Sequence, residues 1–322
     1  MPARLTQMTN AVQIGGLLHT TVCHRSTAEA VEQLVPFVEE GLRAHDDVVV
    51  NLTTERVAHL VAQLGDDAER VRWCDTHHWH PHPARRLRAI QELADDVACH
   101  GRGRLRFIGE CAFSAGSPQL LAEWERFDAV LNHALVGAPI SLVCTYDLQQ
   151  LAPEVVERAR CSHPHIGLLP PVENEDYLPP ADYLAQRRGA PLPVPAEAVR
   201  LSGRPTPLDA RALVHEVLGG AGIGRQKVDD MAVAVTEVVT NAWQAGARRV
   251  EVACWYVDGE AGVQVDDDGP GLRDPLAGYR RPAPSDERGR GLWIARQLAD
   301  ALDVWPHDCG TALRLRLFDA AP

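Results

Sequence analysis

The stretch VDDMAVAVTEVVTNAWQAG, residues 228–246, decides how the C-terminal part of this chain is read. Val228, Met231, Val235, Val238 and Ala242 recur at steps of three and four, which predicts a helix with one buried stripe. On a neighbouring edge Glu237 and Asn241 stand four apart, so both side chains leave the helix on one face. A carboxylate there can take a proton from an attacking hydroxyl or water. An amide oxygen beside it suits Mg²⁺, a hard cation that takes oxygen donors. The same spacing also occurs on solvated helix faces, so the pair gains meaning only from the motifs downstream of it.

C-terminal to this helix, Val265-Asp266-Asp267-Asp268-Gly269-Pro270-Gly271 continues an alternating, strand-like run. Asp267 at a strand end can accept a hydrogen bond from an exocyclic amine such as that of adenine. Gly269 and Gly271 permit backbone to lie close to a flat ligand. An acidic hairpin would read similarly, although the ligand spacing of an EF-hand is missing. Next, Glu287-Arg288-Gly289-Arg290-Gly291-Leu292 opens a helix from about Leu292 to Leu302, whose first N–H groups can face a phosphate. Gly310-Thr311 then precedes a final strand in which Leu313, Leu315 and Leu317 alternate with Arg314 and Arg316, predicting one wet face. Arg273, Arg280, Arg281, Arg288 and Arg290 make the segment before the helix basic, against Asp274, Asp286 and Glu287.

In order and spacing these four pieces resemble the GHKL superfamily, which includes histidine kinases and gyrase B. Within it, TEVVTNA and GRGLWIARQLAD are most similar to the anti-sigma-factor serine/threonine kinases. That resemblance implies an α/β sandwich with a mixed sheet, with ATP and Mg²⁺ as ligands. It assigns ATP binding to Asn241, Asp267, Gly269, Gly271, Gly289, Arg290, Gly291, Leu292 and Thr311, with Asn241 also holding the metal. Glu237 becomes the general base toward a serine or threonine of an anti-anti-sigma (STAS-type) protein. A sigma factor is the other implied partner, and a homodimer the implied assembly. Two alternatives stand beside this reading. One is an orphan sensor histidine kinase, although the nearest His-Glu, His215-Glu216, lies only 22 residues before Glu237 inside the first helix of the module. The other is an ATP-binding partner-switch protein that transfers nothing.

Before residue 166 short apolar runs alternate with helical patterns. Val48 to Leu52, Leu105 to Ile108 and Ile140 to Cys144 read as strands; Thr27 to Ala44, Thr54 to Leu64, Pro83 to His100 and Leu120 to Leu135 read as helices. Such alternation predicts a parallel sheet with helices on both faces. From Ile166 to Val199 seven prolines mark a semi-rigid linker with one short helix near Ala181 to Arg188. The expected division is therefore 1–165, a linker of 166–199, and 200–322.

The N-terminal part resembles the MEDS sensory domain through Leu17-Leu18-His19, Phe37 to Leu42, Arg106-Phe107-Ile108-Gly109-Glu110, Phe127 to Asn132, Cys144-Thr145-Tyr146-Asp147 and His163-Pro164. The resemblance implies a degenerate RecA-like core that senses a small molecule, an apolar one being the first candidate. Val22 to Thr27 indeed contains no glycine, so no phosphate cradle is expected there. Open α/β sheets place ligands at strand ends, which nominates His19, Cys23, Glu110, Cys144, Tyr146 and His163. A metal or redox group of His19, Cys23, Cys111 and Cys144 is an alternative, as is a set of satisfied core residues. The run Trp73 to His82, rich in histidine, reads as a loop that could bind metal adventitiously.

Bulk properties narrow the remaining classes. The chain has 322 residues, 45% of them hydrophobic and 24% charged, enough for two cores. Its formal charge of -12 and 5% aromatic content argue against a nucleic-acid partner. The N-terminus lacks the apolar stretch of a signal peptide, and no run approaches a membrane span. The eight cysteines form no CxxC pair, so reduced thiols in a cytoplasmic protein with no membrane contact are expected.

Overall fold

Strand alternation assigns neighbouring side chains to different cores. Val49, Phe107 and Leu142 enter one hydrophobic cluster, while Val48, Val50, Ile108 and Val143 enter another on the opposite face of the same sheet. A sheet buried on both faces is the setting of parallel strands. The computed structural model describes residues 16–80, 82–101, 103–110, 118–191, 193–283, 285–286, 289–307 and 309–318. Cys111, Glu287 and Arg288 lie outside these described residues.

The first domain runs β1 (Leu18–His24), α1 (Thr27–Arg43), β2 (Asp47–Leu52), α2 (Thr54–Leu64), β3 (Arg72–Asp75), α3 (Pro83–His100), β4 (Leu105–Glu110), α4 (Pro118–Ala134), β5 (Ile140–Asp147), α5 (Pro153–Ser162), β6 (His165–Ile166) and β7 (Val172–Glu173). The strand order is β3-β2-β4-β5-β1-β6-β7, parallel except for the β6–β7 pair. Residues from α1 and α2 cover one face, and residues from α3 and α4 the other. Helix α1 starts where Ser26 accepts a hydrogen bond from the Glu29 amide at 3.1 Å, a side-chain cap. The proline-rich segment that comes next is docked: α6 (Pro180–Gln186) buries Tyr183 and Leu184 in the α3–α4 core.

The second domain contains β8 (Val199–Gly203), α7 (Pro207–Gly220), α8 (Arg225–Gln244), β9 (Val250–Val257), β10 (Glu260–Asp267), α9 (Arg290–Leu298), β11 (Ala301–His307) and β12 (Gly310–Leu317). Its sheet has the order β11-β12-β10-β9-β8. The expectation of a mixed sheet is corrected, since every pairing is antiparallel. Val214, Val235, Val238, Val252, Val263 and Leu315 form one core between this sheet and the helices. No helix among the described residues is long and apolar enough to cross a membrane.

Two further expectations change. Helix α9 ends at Leu298, and the residues expected to complete it turn extended at Ala299 and enter β11. The expected wet face of the last strand is dry: Arg314 and Arg316 are 2% and 4% exposed. Arg314 donates to Gln264 Oε1 at 2.9 Å, and its guanidinium lies over Trp255 and Trp305. Arg316 donates to Asp303 at 2.6 Å. Arg314 is enclosed by Gln264, Trp255 and Trp305 of its own sheet, and the first domain covers Arg316 through the Arg126–Asp303 pair.

That cover is an ion cluster. Arg126 of α4 sits 2.7 Å from Asp303 of β11 and 3.0 Å from Glu123. Burial alone would raise the Asp303 carboxyl, but Arg126 and Arg316 outweigh it and hold it below the usual carboxylate range. Glu123 is pushed upward by burial. Around this cluster His82 reaches Asp300 at 3.1 Å, and Arg85 donates to the Gln297 carbonyl at 3.1 Å. Removing one partner of a buried pair leaves an uncompensated charge, so Arg126→Ala should lower stability in urea unfolding by about 3 kcal/mol. In a double-mutant cycle with Asp303→Asn the coupling should exceed about 1 kcal/mol. Additive effects would show that the two domains do not lean on this contact.

Candidate functional site

The stripe that buries α8, from Val228 through Ala242, leaves Glu237 and Asn241 half-buried on the edge beside α9. Helix α9 starts at Arg290 after Gly289, whose φ of 87° is left-handed and natural for glycine. One residue into α9, Gly291 presses on the pair: a Cβ there would lie 2.8 Å from both Glu237 Oε2 and Asn241 Nδ2. Both atoms end flexible side chains, so a larger residue at this position would displace the carboxylate and the amide. Among the described residues no hydrogen bond or ion pair engages either side chain. A base, an amide oxygen and the N-terminus of a helix thus meet at one point.

Asp267 ends β10, where one carboxylate oxygen accepts the Gly269 amide at 2.8 Å. Burial raises its carboxyl above the usual range, and the Gly269 amide opposes that. In register opposite Asp267 stands Thr311, whose hydroxyl oxygen accepts the Leu272 amide at 2.9 Å. Gly310 makes this crossing possible, because a Cβ there would fall 1.7 Å from the Asp267 carbonyl. Asn241, Asp267, Gly271, Leu292 and Thr311 share the lining of a cavity of about 110 Å³ with Val238, Ala245 and Leu272. A mostly apolar space of that order accepts one aromatic ring.

The structure therefore groups Glu237, Asn241, Asp267, Gly269, Gly271, Gly291, Leu292 and Thr311 around one cleft, with Gly289 and Arg290 at its α9 end. Two contributors are not visible in the sequence pattern. Leu272 lines the cavity, and Gly278, with φ 78°, lets its backbone lie where a Cβ would meet Leu292 at 2.9 Å. A lone glycine in an irregular segment carries no spacing signal. The segment from Leu276 to Arg281 is itself held by the first domain. Tyr279 is buried in the α3–α4 core under Arg296, Gln91 donates to its carbonyl at 3.4 Å, and Arg281 approaches Asp95 at 3.5 Å.

In the first domain the six nominated residues separate. Glu110 faces the other side of the sheet, paired with Arg56, which also binds Asp147 at 2.5 Å. Cys23 lies near the end of β1 and joins no ligand group among the described residues. His19, Cys144 and His163 come together, fully buried, with Tyr146 packed edge-on to His163 and bonded to Asp128. Burial lowers both imidazoles, His163 to about 4, and raises the Cys144 thiol. The histidine-rich run contributes β3 and a turn in which Asp75 accepts from Thr54 at 2.6 Å and from the His77 amide at 2.9 Å. Among the described residues it supplies no metal-holding group.

Two known families match the chain, one in each part. Residues 18–164 match the family model MEDS, the MEthanogen/methylotroph, DcmR Sensory domain, and residues 202–317 match the histidine kinase-like ATPase domain. No curated relative matches this chain. Among solved structures, the chain is similar to the RsbU and RsbW domains of Rv1364c from Mycobacterium tuberculosis, with 20% identity over 38% of this chain and 32% of that one, at a TM-score of 0.29. It is also similar to the mycobacterial sensor histidine kinase MprB, with 28% identity over 28% of this chain and 70% of that one, at a TM-score of 0.24. The chain thus spans about a third of the first of these structures. This protein joins a MEDS domain to a histidine kinase-like ATPase domain.

Proposed function

We propose that this protein is an ATP- and Mg²⁺-dependent anti-sigma factor and protein serine/threonine kinase, acting on an anti-anti-sigma partner of the STAS type under control of its MEDS domain. The observation that carries the reading is the contact of Gly291 with Glu237 and Asn241. Phosphoryl transfer is mostly positioning and charge neutralisation, and this contact gathers the groups that do both. On this reading the adenine ring enters the cavity of about 110 Å³ and its amine donates to Asp267. Gly269 and Gly271 keep the backbone clear of the ring, while Leu292 and Thr311 close it in.

The phosphates extend toward α9, where Gly289, Arg290 and Gly291 offer N–H groups at the positive end of the helix. Asn241, half-buried and without a protein partner among the described residues, fits a hard cation through its amide oxygen. Mg²⁺ held there would neutralise charge on the phosphate oxygens. Glu237 accepts the proton of the acceptor hydroxyl as that oxygen attacks the terminal phosphorus, the bond from that phosphorus to the bridging oxygen breaks, and ADP leaves. The wording of TEVVTNA and GRGLWIARQLAD favours the serine/threonine branch, with sigma-factor binding as the companion activity. Control runs through contact: a signal that shifts α3 also shifts the segment around Tyr279, which abuts α9.

The test is transfer from γ-labelled ATP to STAS-domain proteins by the whole chain. Glu237→Gln should cut transfer by roughly a hundredfold or more and leave ATP affinity unchanged, and the product should survive acid. Undiminished transfer by the variant would remove Glu237 from the reaction. An acid-labile product would favour the histidine-kinase alternative. Binding without any transfer would favour the non-catalytic switch.

A further inference from the structure

His19 of β1, Cys144 of β5 and His163 after α5 bring three potential ligand atoms within 4.8 Å of one another, with every residue buried. The hydrogen bonds behind the two rings decide which ring nitrogens face inward. Asn132 donates its amide to the Ser162 carbonyl at 2.8 Å, so its oxygen is turned to His19 Nδ1 at 2.9 Å. His19 must therefore carry its proton on Nδ1 and present a bare Nε2, which lies 3.5 Å from Cys144 Sγ. His163 repeats the pattern. Its Nδ1 donates to the Ala159 carbonyl at 2.7 Å, and its Nε2 is buried with no partner among the described residues. A buried acceptor left bare is costly and calls for an explanation.

We propose that His19 Nε2, Cys144 Sγ and His163 Nε2 bind one borderline-soft transition-metal ion of the Zn²⁺ class. Two imidazoles and a thiolate are a donor set that such ions select. Bond lengths of about 2.05 and 2.3 Å at a tetrahedral centre place nitrogen and sulfur about 3.6 Å apart, and His19 and Cys144 already hold 3.5 Å. The Nδ1 bonds to Asn132 and Ala159 fix the ring orientations that metal-bound histidines require. On binding, the Cys144 S–H bond breaks, the proton leaves to solvent and a sulfur–metal bond forms. The resulting single positive charge is balanced by Asp128, buried with an oxygen 4.0 Å from Cys144 Sγ. Three protein ligands leave one position for an exogenous donor, which gives the domain a chemical input independent of the ATP site.

The experiment uses the full chain, purified without a metal-affinity step and loaded with Zn²⁺ or, as a spectroscopic probe, Co²⁺. One metal per chain is expected, with a thiolate-to-cobalt charge-transfer band and tetrahedral d–d bands. Cys144→Ser should abolish the charge-transfer band, whereas Cys254→Ser, remote in the second domain, should not. Because Cys144→Ser alters a core residue, Asn132→Ala serves as a second variant. It removes no ligand and should weaken metal affinity by roughly ten- to a hundredfold. Substoichiometric metal in the folded wild-type chain, or a charge-transfer band unchanged in Cys144→Ser, would overturn the assignment.

Discussion

The close approach of α9 to α8 at Gly291 is the constraint on which the C-terminal domain depends. Glycine in a helix costs up to about 1 kcal/mol relative to alanine, and here it leaves the Glu237 carboxylate and the Asn241 amide in places from which a Cβ would displace them. The position of α8 is fixed by its buried stripe against β9, β10 and β12, so the helix cannot retreat to make room. Gly310 plays the corresponding part at the other end of the cleft, where β12 crosses the end of β10 against the Asp267 carbonyl. Gly291 and Gly310 thus leave room for the close approaches on either side of the cleft.

The second organising feature is charge buried between domains. Arg126, Asp303 and Arg316 are linked at 2.6 to 2.7 Å where α4 meets the β11 edge of the sheet. Buried ion pairs are poor sources of net stability, yet removing one member leaves an uncompensated charge and is strongly destabilising. The same surface carries Tyr279 and Arg296, so the segment between β10 and α9 is anchored on one side by the MEDS domain and on the other by α9. Packed side chains thus connect α3 and α4 with the segment beside the α8–α9 cleft.

Legibility in the sequence tracks the range of the physics involved. Helix α8 is plain because one-sided burial imprints a 3.6-residue period, and Gly269, Gly271, Gly289, Gly291 and Gly310 are plain because they sit in a fixed order, unlike Gly278. The parallel sheet is readable from β-branched runs such as Val48 to Val50 alternating with amphipathic helices. Arg314 and Arg316 mislead because alternation reports two different environments, and the tryptophans over Arg314 or the neighbouring domain beside Arg316 can replace water. Strand β11 is hidden because Asp303 and Pro306 break its pattern. His19 and Cys144 lie 125 residues apart, and no ligand-spacing template covers such a separation. Only the parallel pairing of β1 with β5 and the turn after α5 assemble them with His163.

We propose that the α8–α9 cleft holds Mg·ATP with Asn241 on the metal. Calorimetric titration of Mg·ATP into the intact chain and into Asn241→Ala tests it most directly. Saturable binding by the intact chain near micromolar, roughly −8 kcal/mol, with at least about a tenfold loss (1.4 kcal/mol) in the variant is the predicted result. Equal affinity in both proteins, or no binding by the folded intact chain, would contradict it.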